Sequence, residues 1–457
     1  MLASTTFVLA CATGNPSNAQ PPLGSDDASR SEDSRVGPIE DSAGFGGDVD
    51  PDAGADAGCV GLECKRVSCP GGTKTTISGV VFAPTKVAPD PLYNAIVYVP
   101  NAKVSPFPAG VACEKCGALT TGSPIVTALS GADGKFVLSD VPVGADIPLV
   151  VQLGRWRRQV TIPKIEPCVD NAIEAELTRL PRNQSEGDIP LHAIASGRVD
   201  GLECVLRKIG IDDAEFTQPG GTGRIHLYTQ NGTAAPGGAV PASALWSSVD
   251  TLKKYDLVLF PCEGAPNVKS SDATHAIIEY TSAGGRMFAT HYSYVWIQGA
   301  PMPFPGTANW NVDQVHPGDP LTAYVDTSFP KGVAFAQWLL NVKASITLGV
   351  LSINQPRHDV ESVVAPSQSW ITSKSPSTLQ HYTFNTPVGA PAEAQCGRVV
   401  YSDFHVLDSR ADGTTFPSAC DDKPLSPQEK VIEFMLFDLA SCVQKDKDQP
   451  VAPPPPK

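Results

Sequence analysis

The sequence contains no run of 18 or more apolar residues, so no helix in it is long and apolar enough to cross a membrane. It is also short of base. Lys and Arg number 34 against 48 Asp and Glu, a formal charge of −14 at pH 7. A nucleic-acid partner requires a basic face to neutralise phosphates, and this balance argues against one. Gly and Pro are plentiful instead, at 40 and 43 residues, which over-supplies turns, loops or linkers. The 41% hydrophobic share still permits a sizeable core. A length of 457 residues points to more than one domain.

The charge is uneven. Residues 12–58 hold ten acids and two bases, a net −8, in a background of Ala, Gly, Ser and Pro with one aromatic, Phe45. Such a segment cannot bury enough apolar area to offset the entropy of ordering, so a disordered, self-repelling acidic tether is expected there. Ahead of it, Phe7-Val8-Leu9-Ala10-Cys11 resembles a bacterial lipobox, in which cleavage precedes a cysteine that carries lipid on its sulfur. Ala10 suits the small residue before the cut and Val8 the aliphatic position. Leu9 is less usual, and no Lys or Arg precedes the apolar stretch. The alternative is a chance cysteine in a ragged terminus. The resemblance implies a lipid anchor at Cys11, membrane association through it, and a location in the cell envelope at the outer membrane.

Twelve cysteines in an exported chain read as disulfides. With Cys11 set aside, six fall between Cys59 and Cys168, and structural pairing among them is expected. Cys113-Glu114-Lys115-Cys116 has the CxxC spacing of redox and zinc motifs, but there is no second close pair for zinc and no βαβ context for redox chemistry. Cys204, Cys262, Cys396, Cys420 and Cys442 form an odd set, so at least one is free or bonded outside its own domain. Cys262 is expected in a disulfide, with Cys204 a candidate partner, rather than as a nucleophile.

Residues 59–180 consist of short β-prone runs with turn signals at Asp133-Gly134 and Pro142-Val143-Gly144 and no helical period, which suggests a small antiparallel β-sandwich. The stretches SGVVFAP…NAIVYVP and TALSGADGKFVLSDVPVG resemble the carboxypeptidase regulatory-like family, a transthyretin-like sandwich without catalytic activity. Gly79-Val80-Val81 and Asp133-Gly134-Lys135-Phe136 carry the match. Arg155-Trp156-Arg157-Arg158 is the one dense basic patch, and it reads as a solvated strand with a single packed Trp rather than an anion site.

From residue 181 the pattern alternates between strands and helices. Strands are expected at 188–195, 255–260, 286–290 and 397–404, and helices at 201–210, 244–254, 271–282 and 426–442. This is a doubly wound, flavodoxin-like α/β domain over 181–445, with a proline-rich, foldless tail over 446–457. The whole chain is then an α+β multidomain protein. The order YDLVLFPCEG…AIIEYTSAGGRMFATHYSY…GRVVYSDFHV…EKVIEFMLFDLASC resembles the class I glutamine amidotransferase-like superfamily, and its ThuA-like branch in particular. The resemblance places the nucleophile-elbow position at His291, the base at His405 and the oxyanion loop at Cys262-Glu263-Gly264. No cysteine occupies the elbow, which makes glutamine hydrolysis through a thioester doubtful. ThuA-like proteins also lack it.

The residues support a site on their own terms. Ligands of parallel α/β sheets bind outside the carboxyl ends of the strands, where Cys262, His291 and His405 fall. Asp403 and His405 are two apart, so on a strand they share a face, and a carboxylate beside an imidazole fixes its tautomer. The candidate catalytic residues are His405, Asp403 and His291, and the candidate binding residues Cys262, Glu263, Gly264, Tyr292 and Ser293. Ser293 lacks the Gly-x-Ser-x-Gly surround of a nucleophile. His316 and His358 lie in loops, with a bland loop favoured over a lid. The Asn183 and Asn231 sequons carry little weight with a bacterial lipobox. No cofactor and no metal set are expected from spacing. Two functions compete: a surface lipoprotein that binds extracellular carbohydrate or peptide, its α/β domain catalytically degenerate, and a ThuA-like hydrolase or sugar-modifying enzyme with His405 as base, oriented by Asp403, and with His291 and Glu263 shaping the site or holding a metal.

Overall fold

A computed structural model describes residues 59–116 and 120–453. Cys11 and the acidic segment 12–58 lie outside the described residues. The described part from residue 59 onward belongs to a single compact unit of mixed α/β structure.

Its first lobe holds Thr76–Val80 (β1), Ile96–Pro100 (β2), Pro124–Leu129 (β3), Lys135–Ser139 (β4), Gly144–Leu153 (β5), Trp156–Ile165 (β6), Asp170–Ala172 (β7) and the single turn Ala175–Thr178 (α1). They form two sheets, in the orders β4-β1-β7 and β3-β2-β5-β6. All pairs are antiparallel except β1 with β7. In β4 burial alternates along the strand, with Phe136 and Leu138 inward and Lys135, Val137 and Ser139 outward. Gly134 precedes that strand with φ 73°, the positive φ that the Asp-Gly turn needs.

The second lobe carries His192–Ser196 (β8), Leu202–Ile209 (α2), Phe216–Thr217 (β9), Ile225–Thr229 (β10), Val249–Leu252 (α3), Leu257–Phe260 (β11), Ser271–Ser282 (α4) and Arg286–Thr290 (β12). It continues through Ala308–Trp310 (β13), Leu321–Val325 (β14), Pro330–Asn341 (α5), Val350–Ile353 (β15), Val360–Val363 (β16), Gln368–Lys374 (β17), Ser377–Thr386 (β18), Gly397–Ser402 (β19) and Pro427–Ala440 (α6). Ten of these strands make one sheet, in the order β15-β14-β17-β18-β19-β12-β11-β8-β10-β9. From β19 to β9 neighbours run parallel, and from β15 to β19 antiparallel. Every residue of β8, β11, β12 and β19 is buried, as central strands covered on both faces must be. The chain leaves β8 toward β10, then returns across it to β11. The order therefore reverses between β8 and β11, the kind of switch point beyond whose carboxyl ends ligands of parallel α/β sheets bind.

Local signals set the helix ends. Gly210 closes α2 in the left-handed region at φ 119°. Ser426 and Glu429 form a capping box at the start of α6. The α4 cap is Ser270, one residue before the expected Ser271. The helix expected over 244–254 is cut down to the single turn of α3. Ser248 caps α3 by accepting from the Thr251 N–H, and a 3₁₀ turn over Ala242–Ala244 precedes it, so the serines divide the segment. The tail expected to be foldless over 446–457 packs through 453. Asp446 pairs with buried Arg398 at 2.6 Å, and the Thr127 hydroxyl donates to the Pro453 carbonyl at 2.5 Å.

The lobes share one hydrophobic core that runs from Ile77, Val97 and Leu149 to Ile194, Leu202 and Phe434. Trp156 meets His192 and Phe437 edge-on at 5.8 and 5.9 Å. The expectation of a solvated strand fails at its flanks, because Arg155 and Arg157 are buried in ion pairs across this seam. Arg155 binds Glu114 at 2.7 Å and Asp256 at 2.6 Å, and Arg157 binds Asp188 at 2.8 Å. The disulfides Cys59–Cys64 and Cys69–Cys168 stay within the first lobe. The two cysteines of the CxxC instead cross to the second lobe as Cys113–Cys396 and Cys116–Cys442. Cys204 pairs with Cys420, not with Cys262, which remains a buried free thiol. Five disulfides fit an oxidising, extracytoplasmic compartment.

Candidate functional site

The switch point beyond β8 and β11 collects buried side chains from five separate stretches of chain. Asp200 follows β8, Cys262 follows β11, His291 follows β12, Asp359 precedes β16 and His405 follows β19. His291 turns the chain sharply, with φ 36° in the left-handed region. A non-glycine residue held there stores backbone strain of a kind that clusters at functional sites.

Asp200 is fully buried and takes three donors. The Nδ1–H of His405 reaches Oδ1 at 3.1 Å, the Val406 N–H reaches the same oxygen at 2.7 Å, and the Thr290 hydroxyl donates to Oδ2. Thr290 Oγ1 in turn accepts the Cys262 N–H at 2.9 Å. Asp200 thus ties the first strand's end to β11, β12 and the His405 loop. It also fixes His405 in the tautomer with the proton on Nδ1 and the lone pair on Nε2.

The Cys262 sulfur lies 3.5 Å from His291 Nδ1 and accepts the Gly264 N–H at 3.4 Å. Nε2 on the far side of His291 faces Asp359 Oδ2 at 3.4 Å. The rings of His291 and His405 meet edge-on with centroids 4.6 Å apart, and Tyr292 stacks on His291 at 3.8 Å. One ligand atom each of Cys262, His291 and His405 lies within 4.8 Å of the others. Burial pushes the Cys262 thiol up to about 12, assisted by the Asp200 charge. Burial, with His405 and Arg357 nearby, pushes His291 down to about 2. Without a cation both groups are neutral at physiological pH, which is unlike a thiolate–imidazolium pair.

Several candidates fall elsewhere. Asp403 does not orient His405, because β19 ends at Ser402 and the two-residue alternation no longer applies. It accepts instead from the Tyr401 hydroxyl at 2.9 Å and the Asp359 N–H at 2.8 Å, and burial together with the Asp359 charge raises its pKa well above the usual carboxylate range. Glu263 is buried but fully engaged by Lys269, Gln230 and Asn267 at 2.5–2.6 Å, outside the cluster. Ser293 is buried and donates to the Pro261 carbonyl at 3.1 Å. His358 Nε2 faces Glu361 at 3.5 Å, and His316 is exposed. Asp200 and Asp359, the two carboxylates on the histidines, were not among the sequence candidates. The signal available for Asp200 was its place just past the first strand, at the switch point.

No family model matches the chain, and no curated protein matches it. Among solved structures, the mmIFT52 N-terminal domain is 11% identical, covers 54% of this chain and 96% of its own, and superposes with a TM-score of 0.31. A ThuA-like protein from Bacteroides uniformis is 8% identical over 54% of this chain and 89% of its own, with a TM-score of 0.28. A cytoplasmic protein from Salmonella typhimurium is 12% identical over 54% and 98%, with a TM-score of 0.29. Similarity at these levels assigns neither a fold family nor a function.

Proposed function

We propose that the chain is an extracytoplasmic hydrolase of ThuA-like type, tethered to the cell envelope through Cys11, that acts on carbohydrate or peptide material outside the cell. The observation that carries this reading is the Asp200–His405 dyad, set beside His291 and Cys262 at the carboxyl-end switch point. Asp200 holds the His405 proton on Nδ1, so Nε2 is the basic atom presented to the cluster. In hydrolysis, water yields a proton to that atom and its oxygen bonds to the electrophilic carbon. The proton then passes to the departing group as its bond to that carbon breaks. The flavodoxin-like reading of the parallel half, the transthyretin-like reading of the first lobe and the anchor belong to this same proposal.

A second reading, binding without turnover, draws on the closure of the cluster, where Cys262 is 0% exposed and both histidines 4%. A panel of ester, amide and glycoside substrates separates the two. Turnover that His405→Gln abolishes supports the hydrolase. Retained ligand binding with no turnover in any class supports the binding protein.

A further inference from the structure

We propose that Cys262, His291 and His405 hold a zinc-class divalent cation through Sγ, Nδ1 and Nε2. The inference rests on reading this cluster as the functional centre and changes one role within it: the His405 Nε2 lone pair cannot both bind a cation and take a proton from water, so with an ion held His405 is a ligand and the ion would activate the water in its place.

The first argument is distance. Zinc bonds sulfur at about 2.3 Å and imidazole nitrogen at about 2.0–2.1 Å, so in tetrahedral geometry a sulfur and a nitrogen on one ion stand about 3.5 Å apart. The Cys262 sulfur and His291 Nδ1 are 3.5 Å apart. The third ligand atom, a ring nitrogen of His405, lies within 4.8 Å of both, so the set closes on an ion only with an adjustment of the side chains.

The second argument is the shell behind the ligands. Metal-bound histidines almost always donate their other ring N–H to a carboxylate, a carbonyl or water. Here both histidines have a carboxylate behind them. Asp200 sits on His405 Nδ1 at 3.1 Å, and Asp359 Oδ2 sits 3.4 Å from His291 Nε2. Each carboxylate turns the remaining lone pair toward Cys262. Asp359 is 3% exposed, and its Oδ2 has no hydrogen-bond partner. A buried oxygen of that kind is costly unless the group it faces carries an N–H, which is what ligation through Nδ1 imposes on His291.

The third argument is sulfur chemistry. Among the described residues every other cysteine is in a disulfide, and Cys262 alone is free. The Gly264 N–H points at its sulfur, an arrangement that favours a thiolate, and a cation removes the thiol proton outright. One sulfur and two imidazoles are a borderline-soft donor set suited to zinc or copper rather than magnesium or calcium. Three protein ligands leave one position for water or substrate, as in catalytic rather than structural zinc sites. No short spacing motif announces the set, because its members come from three separate strand ends.

The test uses the full chain, untagged, with Cys11→Ala so that Cys262 is its one unpaired thiol. Chelator-treated protein is titrated with zinc, and with cobalt(II) as a spectroscopic probe. We expect one equivalent of zinc by elemental analysis and a thiolate-to-cobalt charge-transfer band. Cys262→Ser should remove the band, and Asp359→Asn, which alters no ligand, should weaken affinity by about 10–100-fold. Zinc should also slow alkylation of Cys262 in protein that carries no substitution at the centre, a readout that survives if either variant fails to fold. Binding below a tenth of an equivalent, a charge-transfer band that persists in Cys262→Ser, or alkylation indifferent to zinc would overturn the proposal. Hydrolysis by metal-free protein that is lost in His405→Gln would sink the metal site and leave the hydrolase standing. Stoichiometric zinc without turnover of any substrate class would support the site and sink the hydrolase.

Discussion

Replacing Asp200 by Asn changes one buried atom's chemistry and little of its shape, and its consequences can be worked out bond by bond. The carboxylate accepts from His405, Val406 and Thr290 and is fully buried. Hydrogen bonds to a charged group contribute about 1.5–3 kcal/mol each, against roughly 1 kcal/mol for neutral pairs. In Asn the remaining oxygen can keep His405 and Val406, both weakened. The new amide group must then face Thr290 Oγ1, whose proton loses its acceptor. The loss comes to about 2–4 kcal/mol, reduced somewhat because a buried charge no longer has to be desolvated. For a unit of this size that corresponds to a fall in Tm of about 2–5 °C. His405 also loses the partner that fixes its tautomer, and general-base catalysis of this kind contributes about 10²–10⁴-fold. Thermal unfolding, nitrogen NMR of the His405 ring and turnover read these three effects separately. If Asp200→Asn keeps the wild-type Tm and the His405 proton stays on Nδ1, the assigned role of Asp200 is wrong.

Other outcomes follow from the same structure. With Cys113–Cys396 closed, Cys116–Cys442 closes a loop of only about 50 residues; chain-entropy arguments then give about 4 kcal/mol for losing one of the pair and about 6 kcal/mol more for losing the second. Denaturant titration of Cys113→Ser/Cys396→Ser, alone and with Cys116→Ser/Cys442→Ser, checks that asymmetry. Gly154 has φ 57°, and a Cβ there would meet the Ala440 carbonyl oxygen at 1.7 Å, so Gly154→Ala should be strongly destabilising in the same assay. His192 is fully buried, and burial pushes its pKa down to about 4. The folded state thus resists a proton that the unfolded chain accepts, so stability present above pH 6.5 should fall by on the order of 3 kcal/mol toward pH 4. His192→Phe should flatten that part of the pH–stability curve. Arg155→Met removes the ion-pair partner of buried Asp256, leaving it the Leu191 N–H and a more distant Arg224, and of half-buried Glu114, and a loss of about 3 kcal/mol is expected on chemical unfolding.

What the sequence made legible follows from where the information is local. Strand β12 and helix α4 match their expected bounds because a continuous apolar run and a capped amphipathic stretch need no distant partner to be recognised. The antiparallel extension over 308–386 was not foreseen. Its strand β18 buries Gln380, His381 and Thr383, so polar letters stand at core positions, where partners distant in sequence, such as Ser402 against the His381 ring, take up part of their hydrogen bonding. The candidate site was half visible. Cys262, His291 and His405 follow strand ends that can be read off the chain. Asp200 and Asp359 become partners only in the folded chain, where β8, β12, β11 and β19 lie in one sheet and the separate β13–β16 pair brings Asp359 to His291; Asp403 does not orient His405 because β19 stops one residue before it. The cysteine count implies that the odd set of five includes one bonded elsewhere or free, and Cys262 is free while Cys396 and Cys442 bond outside the set; the partners of the CxxC, expected within the first lobe, lie across the seam.

The cross-lobe disulfides also bear on how the protein is made. A chain threads out of its ribosome from the N-terminus, so Cys113 and Cys116 emerge 283 and 326 residues before their partners. Until those partners arrive they form a dithiol with nothing legitimate to react with, close enough to bond each other or to capture Cys69, Cys168 or Cys204. Correct assembly therefore depends on keeping that pair reduced, or on undoing early mistakes, until the last helix has docked. Yield in a host should track its capacity to shuffle disulfides more closely than its capacity to oxidise them.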